Sequence, residues 1–205
     1  MRRYLVASLF SLSTLSSAVA LAETDPLVDF SVRFNPWADS EVNAFGAGAD
    51  GDGRGLGTRL EVGGALFVFG DYNLTDIDTD VGDIDFTETR FGAGFKHSTE
   101  RGYISVSGEN YRLKLEHDGT SGSAKDDGIG VHLGGGFNLG SWATLYGKLG
   151  IISLDDYDGQ EYLGGITGNI SDNGRIFVEY RNLALEDGPV DFDHSDARVG
   201  VAFSF

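Results

Sequence analysis

From Val28 onward the chain alternates in character residue by residue, and it does so through almost its whole length. Successive side chains on a strand point to opposite faces, so alternation of this kind specifies two-sided β-strands. Candidate strands are 27–37, 56–62, 65–77, 86–97, 103–116, 128–138, 141–154, 161–170, 175–186 and 195–205. One face carries Phe34, Leu66, Val68, Phe91, Leu133, Leu149, Ile176 and their like. The other carries Arg33, Arg59, Glu61, Asp71, Glu88, Arg90, Lys96, Glu109, Arg112, Lys114, Glu116, His132, Lys148, Glu161, Glu179, Arg181 and Arg198. A face with nine cations and seven carboxylates is no hydrophobic core. The apolar face is therefore the outer one, and its surroundings are lipid. In lipid every backbone N–H and C=O must be paired within the protein, so a sheet that spans must close on itself. The expectation is an all-β, ten-stranded antiparallel up-and-down barrel, with eight strands as the second choice. Parity slips once, at Gly108-Glu109-Asn110, which reads as a β-bulge.

The ends of the chain are read in the same light. Arg2 and Arg3 precede an apolar stretch from Leu5 to Leu15, and Ala20-Leu21-Ala22 follows as a small-x-small site. This predicts a signal peptide over 1–22, leaving a barrel domain over 23–205. The remaining 183 residues hold 32 acidic against 13 basic side chains, a net charge of −19. Such a chain does not bind nucleic acid through phosphate neutralisation. There is no cysteine, which excludes a lipoprotein anchor, disulfides and thiolate metal sites.

Short and long connections alternate strictly. Gly63-Gly64, Ser98 to Gly102, Leu139-Gly140 and Ser171 to Gly174 are short turns, while 38–55, 76–85, 117–128, 155–160 and 186–196 read as long acidic links. Transmembrane barrels of bacteria have this asymmetry, with short periplasmic turns and longer outer loops. Aromatic residues gather near strand ends, where a ring with one wet and one apolar side settles. Trp37, Phe86, Tyr111, Tyr162 and Phe192 fall towards the outer rim, and Phe95, Tyr103, Phe137, Trp142, Phe203 and Phe205 towards the other.

The signal, the strand pattern, Leu66-Phe67-Val68-Phe69-Gly70-Asp71-Tyr72 after a two-glycine turn, and the closing Ala197 to Phe205 strand together carry a resemblance. The chain resembles the small OmpA-/OmpX-like outer-membrane β-barrel proteins. The resemblance implies Sec-dependent export to the outer membrane of a Gram-negative envelope and passage through periplasmic chaperones. It also implies insertion by the barrel-assembly machinery, with Phe203 and Phe205 as the assembly signal. Outer-membrane lipid and lipopolysaccharide would then surround a monomer.

Three constellations bear on function. The interior charges Arg33, Arg59, Glu61, Glu88, Arg90, Arg112, Lys148, Glu161, Glu179, Arg181 and Arg198 form either a salt-bridge plug or a charged pore. A barrel of about eight strands is filled by side chains and one of 16 or more leaves a channel, so ten lies nearer the filled end. The five acidic links hold twenty Asp or Glu against Arg54 and Lys125. Asp76, Asp78 and Asp80 are weak candidates for a hard cation, but glycine at Gly82 and glutamate at Glu88 are each one position off an EF-hand. No cofactor is expected. His194-Ser195 with Asp193 or Asp196 is the rim cluster with the composition of a catalytic site, yet neighbours on a strand face opposite ways. The sequence favours a small barrel with a structural or surface-interaction role and a plugged lumen. The alternatives are a narrow channel for ions or small solutes and, behind it, a rim enzyme.

Overall fold

The computed structural model describes residues 28–44, 47–79, 82–117, 123–187 and 190–205. The expected leader over 1–22, together with Asp80, lies outside the described residues. Ten strands follow one another: β1 (Val28–Ala44), β2 (Ala47–Val62), β3 (Leu66–Ile77), β4 (Ile84–Thr99), β5 (Gly102–His117), β6 (Ser123–Leu139), β7 (Ala143–Leu154), β8 (Asp158–Asn169), β9 (Gly174–Asp187) and β10 (Val190–Ser204). Each pairs antiparallel with its neighbours in the chain, and β10 pairs with β1 to close the barrel. Closure removes the unpaired edges that an open sheet would expose. The last residue takes part: Phe205 N–H donates to Phe30 O at 2.8 Å, and the two rings lie 6.3 Å apart. At the β2–β3 turn Gly63 and Gly64 both have positive φ, at 61° and 67°. That is the conformation a two-residue hairpin turn requires at both central positions.

The acidic links are mostly strand. β1 and β2 continue to Ala44 and Ala47, and β9 and β10 to Asp187 and Val190, with regular pairing throughout. Alternation persists in these stretches, but with its polarity exchanged. In the lipid-facing belt Phe91, Leu133 and Ile151 are 64%, 63% and 72% exposed, and charges point inward. Beyond it Asp50, Asp52, Glu116, Asp127 and Asp193 face outward. There the interior is filled by Val42, Ile77, Phe86, Tyr111, Leu113, Ile152, Leu154, Leu183 and Leu185. The barrel thus runs from an oily outside around a charged inside to a wet outside around an oily inside. The upper part is a water-soluble β-stem built on a membrane-spanning base. Full burial of each large aliphatic side chain in it is worth about 1.5–3 kcal/mol.

The irregularity in register lies in β1, not β5. Pairing shifts between Phe34 and Trp37 against β10 and between Asn35 and Ala38 against β2. Pro36 sits in that gap. Proline has no N–H for the ladder and is confined to edges or bulges, and a closed barrel offers no edge. The bulge flips the parity of β1: Arg33 and Asn35 line the interior below it, and Ala38, Ser40 and Val42 above it. β5 pairs without a shift on both sides. Tyr111 and Leu113 therefore point inward, at 1% and 7% exposure, while Arg112 and Glu116 are exposed and Lys114 is half-buried. Phe86 and Phe192 also leave the expected outer girdle and join the interior cluster of the stem. Tyr103 likewise lines the lumen at the opposite end.

If the belt faces lipid, Leu149→Arg near its middle will lower stability in bilayers by about 2–4 kcal/mol. Asn110→Arg, nearer the stem, will cost far less. Denaturant unfolding in phospholipid vesicles, followed by the gel-mobility shift between folded and boiled protein, reads both.

Candidate functional site in the lumen

Inside the belt, strand alternation delivers a charged residue from nearly every strand to the same level. β4 and β9 stand on opposite sides of the ten-strand ring, and ion pairs join them directly. Arg181 Nη1 on β9 donates to Glu88 Oε1 on β4 at 2.6 Å. Arg90 Nη1, also on β4, reaches across to Glu161 Oε2 on β8 at 2.8 Å, and its Nε lies 2.9 Å from Glu88 Oε1. Lys148 Nζ reaches the other oxygen of Glu161 at 2.7 Å. From β9 the chain of contacts continues through Arg181 Nε to Asp196 Oδ2 at 3.0 Å and on to Arg198 Nη2 at 2.8 Å. Glu179 receives Arg33 Nη2 at 2.8 Å and the Tyr146 hydroxyl at 2.9 Å.

The network holds five cations, Arg33, Arg90, Lys148, Arg181 and Arg198, and five carboxylates, Glu88, Glu109, Glu161, Glu179 and Asp196. Isolated charges in such a place would cost several kcal/mol each, which makes the equality a condition of folding rather than an ornament. Glu109 and His132 are its loosest members. Arg90 Nη1 and His132 Nδ1 stand 3.7 and 3.6 Å from Glu109 Oε1, outside hydrogen-bond range.

The structure brings Arg33, Glu88, Arg90, Lys148, Glu161, Glu179, Arg181 and Arg198 into this network. Arg59 and Glu61 lie apart from it, nearer the short turns, where Glu61 takes both Arg59 and Lys96. Arg112 is a correction. With no bulge in β5 it stands on the outer surface, forked onto its cross-strand partner Asp127. Asp196 was read as part of an acidic link, yet it is central. Its place two residues before Arg198 on an alternating strand was the available signal. Asp76 and Asp78 lie at and just beyond the end of β3, both exposed. Among the described residues no group of three or more His, Asp or Glu is arranged to hold a metal ion. His194 is buried edge-on against Phe86 at 5.0 Å. Ser195 faces the other way and accepts from Asn182 Nδ2 at 3.0 Å. The two are not a base and its nucleophile.

Below the network the lumen opens into a cavity of about 410 Å³ towards the short turns. Arg90, Arg198, Asn35 and Asn73 form its closed end. Aromatic rings in its wall come up against glycines on neighbouring strands. A Cβ at Gly94 would come within 2.5 Å of the Phe67 ring, at Gly92 within 2.6 Å of Phe69, and at Gly200 within 2.5 Å of Phe177. A side chain at these positions would also collide with a backbone carbonyl, of Val106, Gly108 and Phe34 respectively, so strand as well as ring would have to shift.

No protein-family model and no curated protein matches the sequence. Among solved structures, an outer membrane channel from Pseudomonas putida F1 superposes with a TM-score of 0.54 at 13% identity, covering 91% of this chain and 98% of the other. Neisserial surface protein A superposes with a TM-score of 0.52 at 12% identity, covering 87% and 97%. This is the fold of an outer-membrane β-barrel. In such barrels the short turns face the periplasm. In this barrel the cavity opens at the end that carries the short turns, and the stem stands at the opposite end.

Removing one partner of a buried ion pair strands the others. Arg181→Met, which leaves Glu88 and Asp196 short of a cation, is expected to cost about 3–5 kcal/mol. The midpoint of denaturant unfolding in vesicles measures it. A loss below 1 kcal/mol would contradict the central place given to this residue.

Proposed function

We propose that this chain is a small monomeric outer-membrane barrel with a closed lumen and a structural or surface-interaction role. The carrying observation is the pair of seals stacked along one axis. The ion network joins opposite walls at the level of β4, β8 and β9. Above it the apolar cluster from Val42 to Leu185 fills the stem. An ion crossing the barrel would have to break the first and then shed its water to pass the second, a cost of many kcal/mol. What the protein offers its surroundings is then its outside: a paired stem whose outward face carries many carboxylates, lifted clear of the lipid.

The rest of the reading follows the same architecture. The leader over 1–22 directs Sec-dependent export. Phe203 and Phe205, at the closing strand, serve the barrel-assembly machinery after delivery by periplasmic chaperones. Lipid and lipopolysaccharide surround the belt. No enzymatic role is assigned, since His194 and Ser195 face apart. The two similar structures bear the names of a surface protein and of a channel, so the shared fold is compatible with either role and the lumen decides between them. A narrow channel is the second reading, favoured by the cavity that already reaches Arg90 and Arg198 from one side.

Planar-bilayer recording separates the two. Purified protein is expected to insert without unitary current steps. Reproducible steps whose size or ion preference changes in Lys148→Glu would establish the channel instead.

A further inference from the structure

The periplasmic cavity has features that a merely unfilled lumen would lack. Two guanidinium groups in its wall are held on aromatic faces, Arg33 4.2 Å over Phe177 and Arg59 3.7 Å over Phe67. Both remain open to the cavity, with side chains 39% and 36% exposed. Their own carboxylates do not exhaust them. Arg59 meets Glu61 only at 3.4 Å, beyond the usual range for a charge-assisted contact, and shares it with Lys96. Arg33 uses one nitrogen on Glu179, which also serves Arg198 and Tyr146. Arg33, Arg59 and Lys96 thus share Glu179 and Glu61 as contact partners, with Asp71 the third carboxylate of this wall, and the stacked guanidinium planes present unused N–H groups in fixed directions.

Asp71 completes the arrangement. It lines the same cavity, packed where Gly57 leaves room, a Cβ there coming within 2.5 Å of its Oδ1. Among the described residues it has no ion-pair partner. A carboxylate in a half-enclosed wall needs donors, and hydroxyl groups of a bound molecule would supply them. The hydroxyl-bearing wall positions Ser105 and Ser107 offer further partners of the same kind. The cavity volume falls within the range of about 300–1,000 Å³ typical of small-molecule sites.

We propose that this cavity binds a small hydroxylated organic anion from the periplasmic side, a sugar bearing a phosphate or a carboxylate. Arg33 and Arg59 hold the oxyanion, and Asp71 accepts from the sugar hydroxyls. The site is blind, so the molecule enters and leaves by the same mouth. This goes beyond the closed-lumen reading, and the two stand or fall separately: conductance tests the seals, and ligand titration tests the cavity.

Isothermal titration of the refolded barrel in detergent, with glucose 6-phosphate, glucuronate, inorganic phosphate and glucose as probes, decides it. Both charged sugars are expected to bind saturably at one site, and glucose not at all. Arg33→Gln and Arg59→Gln should each weaken them about tenfold or more. Asp71→Asn should weaken glucose 6-phosphate while leaving inorganic phosphate unchanged, and Arg112→Gln on the outer surface should alter nothing. The heat-dependent gel shift certifies that every variant is folded. The proposal is overturned by folded protein that binds neither charged sugar. It is equally overturned by glucose binding as tightly as glucuronate, by inorganic phosphate binding as tightly as glucose 6-phosphate, or by unchanged affinity in the Arg33→Gln/Arg59→Gln double variant.

Discussion

Electrical balance inside the belt is the constraint on which the rest of the barrel depends. Lipid forces the outward side chains of the spanning strands to be apolar, and alternation then hands every polar choice to the interior. Ten strands enclose too little space for bulk water to solvate those groups throughout. Most of the charges therefore neutralise one another at contact distance, across the ring as well as along neighbouring strands. Arg181 shows the requirement best, being fully buried with Glu88 on one side and Asp196 on the other. The same contacts couple distant parts of the chain, 93 residues apart between Arg181 and Glu88. They fix the relative level of β4 and β9 without any direct strand pairing.

The stem solves the opposite problem with the same backbone. Beyond the lipid there is water outside, and the inward positions can be apolar. Strand pairing passes through the change of surroundings with a register shift only in β1, and the side chains exchange roles. This explains why so acidic a chain can still be a membrane protein. Many of its carboxylates lie on the outward face of the stem, and those inside the barrel mostly meet cations.

Much of this was legible in the residues. The ten strands, their antiparallel order and the lipid-facing row from Leu66 and Val68 to Ile176 and Val178 follow from alternation, because lipid imposes a single sign on the outer face. The stem was not, for a physical reason. Asp50 and Asp52, or Asp191 and Asp193, look like loop residues to a reader who expects every outer face to be oily. The buried Phe86 and Tyr111 and the half-buried Phe192 look like girdle aromatics for the same cause. The site was legible in part. Arg90, Glu161 and Arg181 stood out as charges in spanning segments, whereas Asp196 was hidden in a stretch mistaken for a loop. Arg112 was drawn inside by a bulge placed in the wrong strand. Pro36 was the better clue, since a closed ladder has nowhere else to put a proline.

The continuous pairing of the stem also separates shape from chemistry. In the stem portions of β2 and β10 alternate residues face outward, while the residues between them hold the interior together. Exchanging Asp52 or Asp193 for almost any polar side chain leaves the backbone where it was, whereas Leu183 or Phe86 has little room to change. The outward face of the stem can therefore drift in charge and shape, position by alternate position, while the scaffold beneath it stays the same.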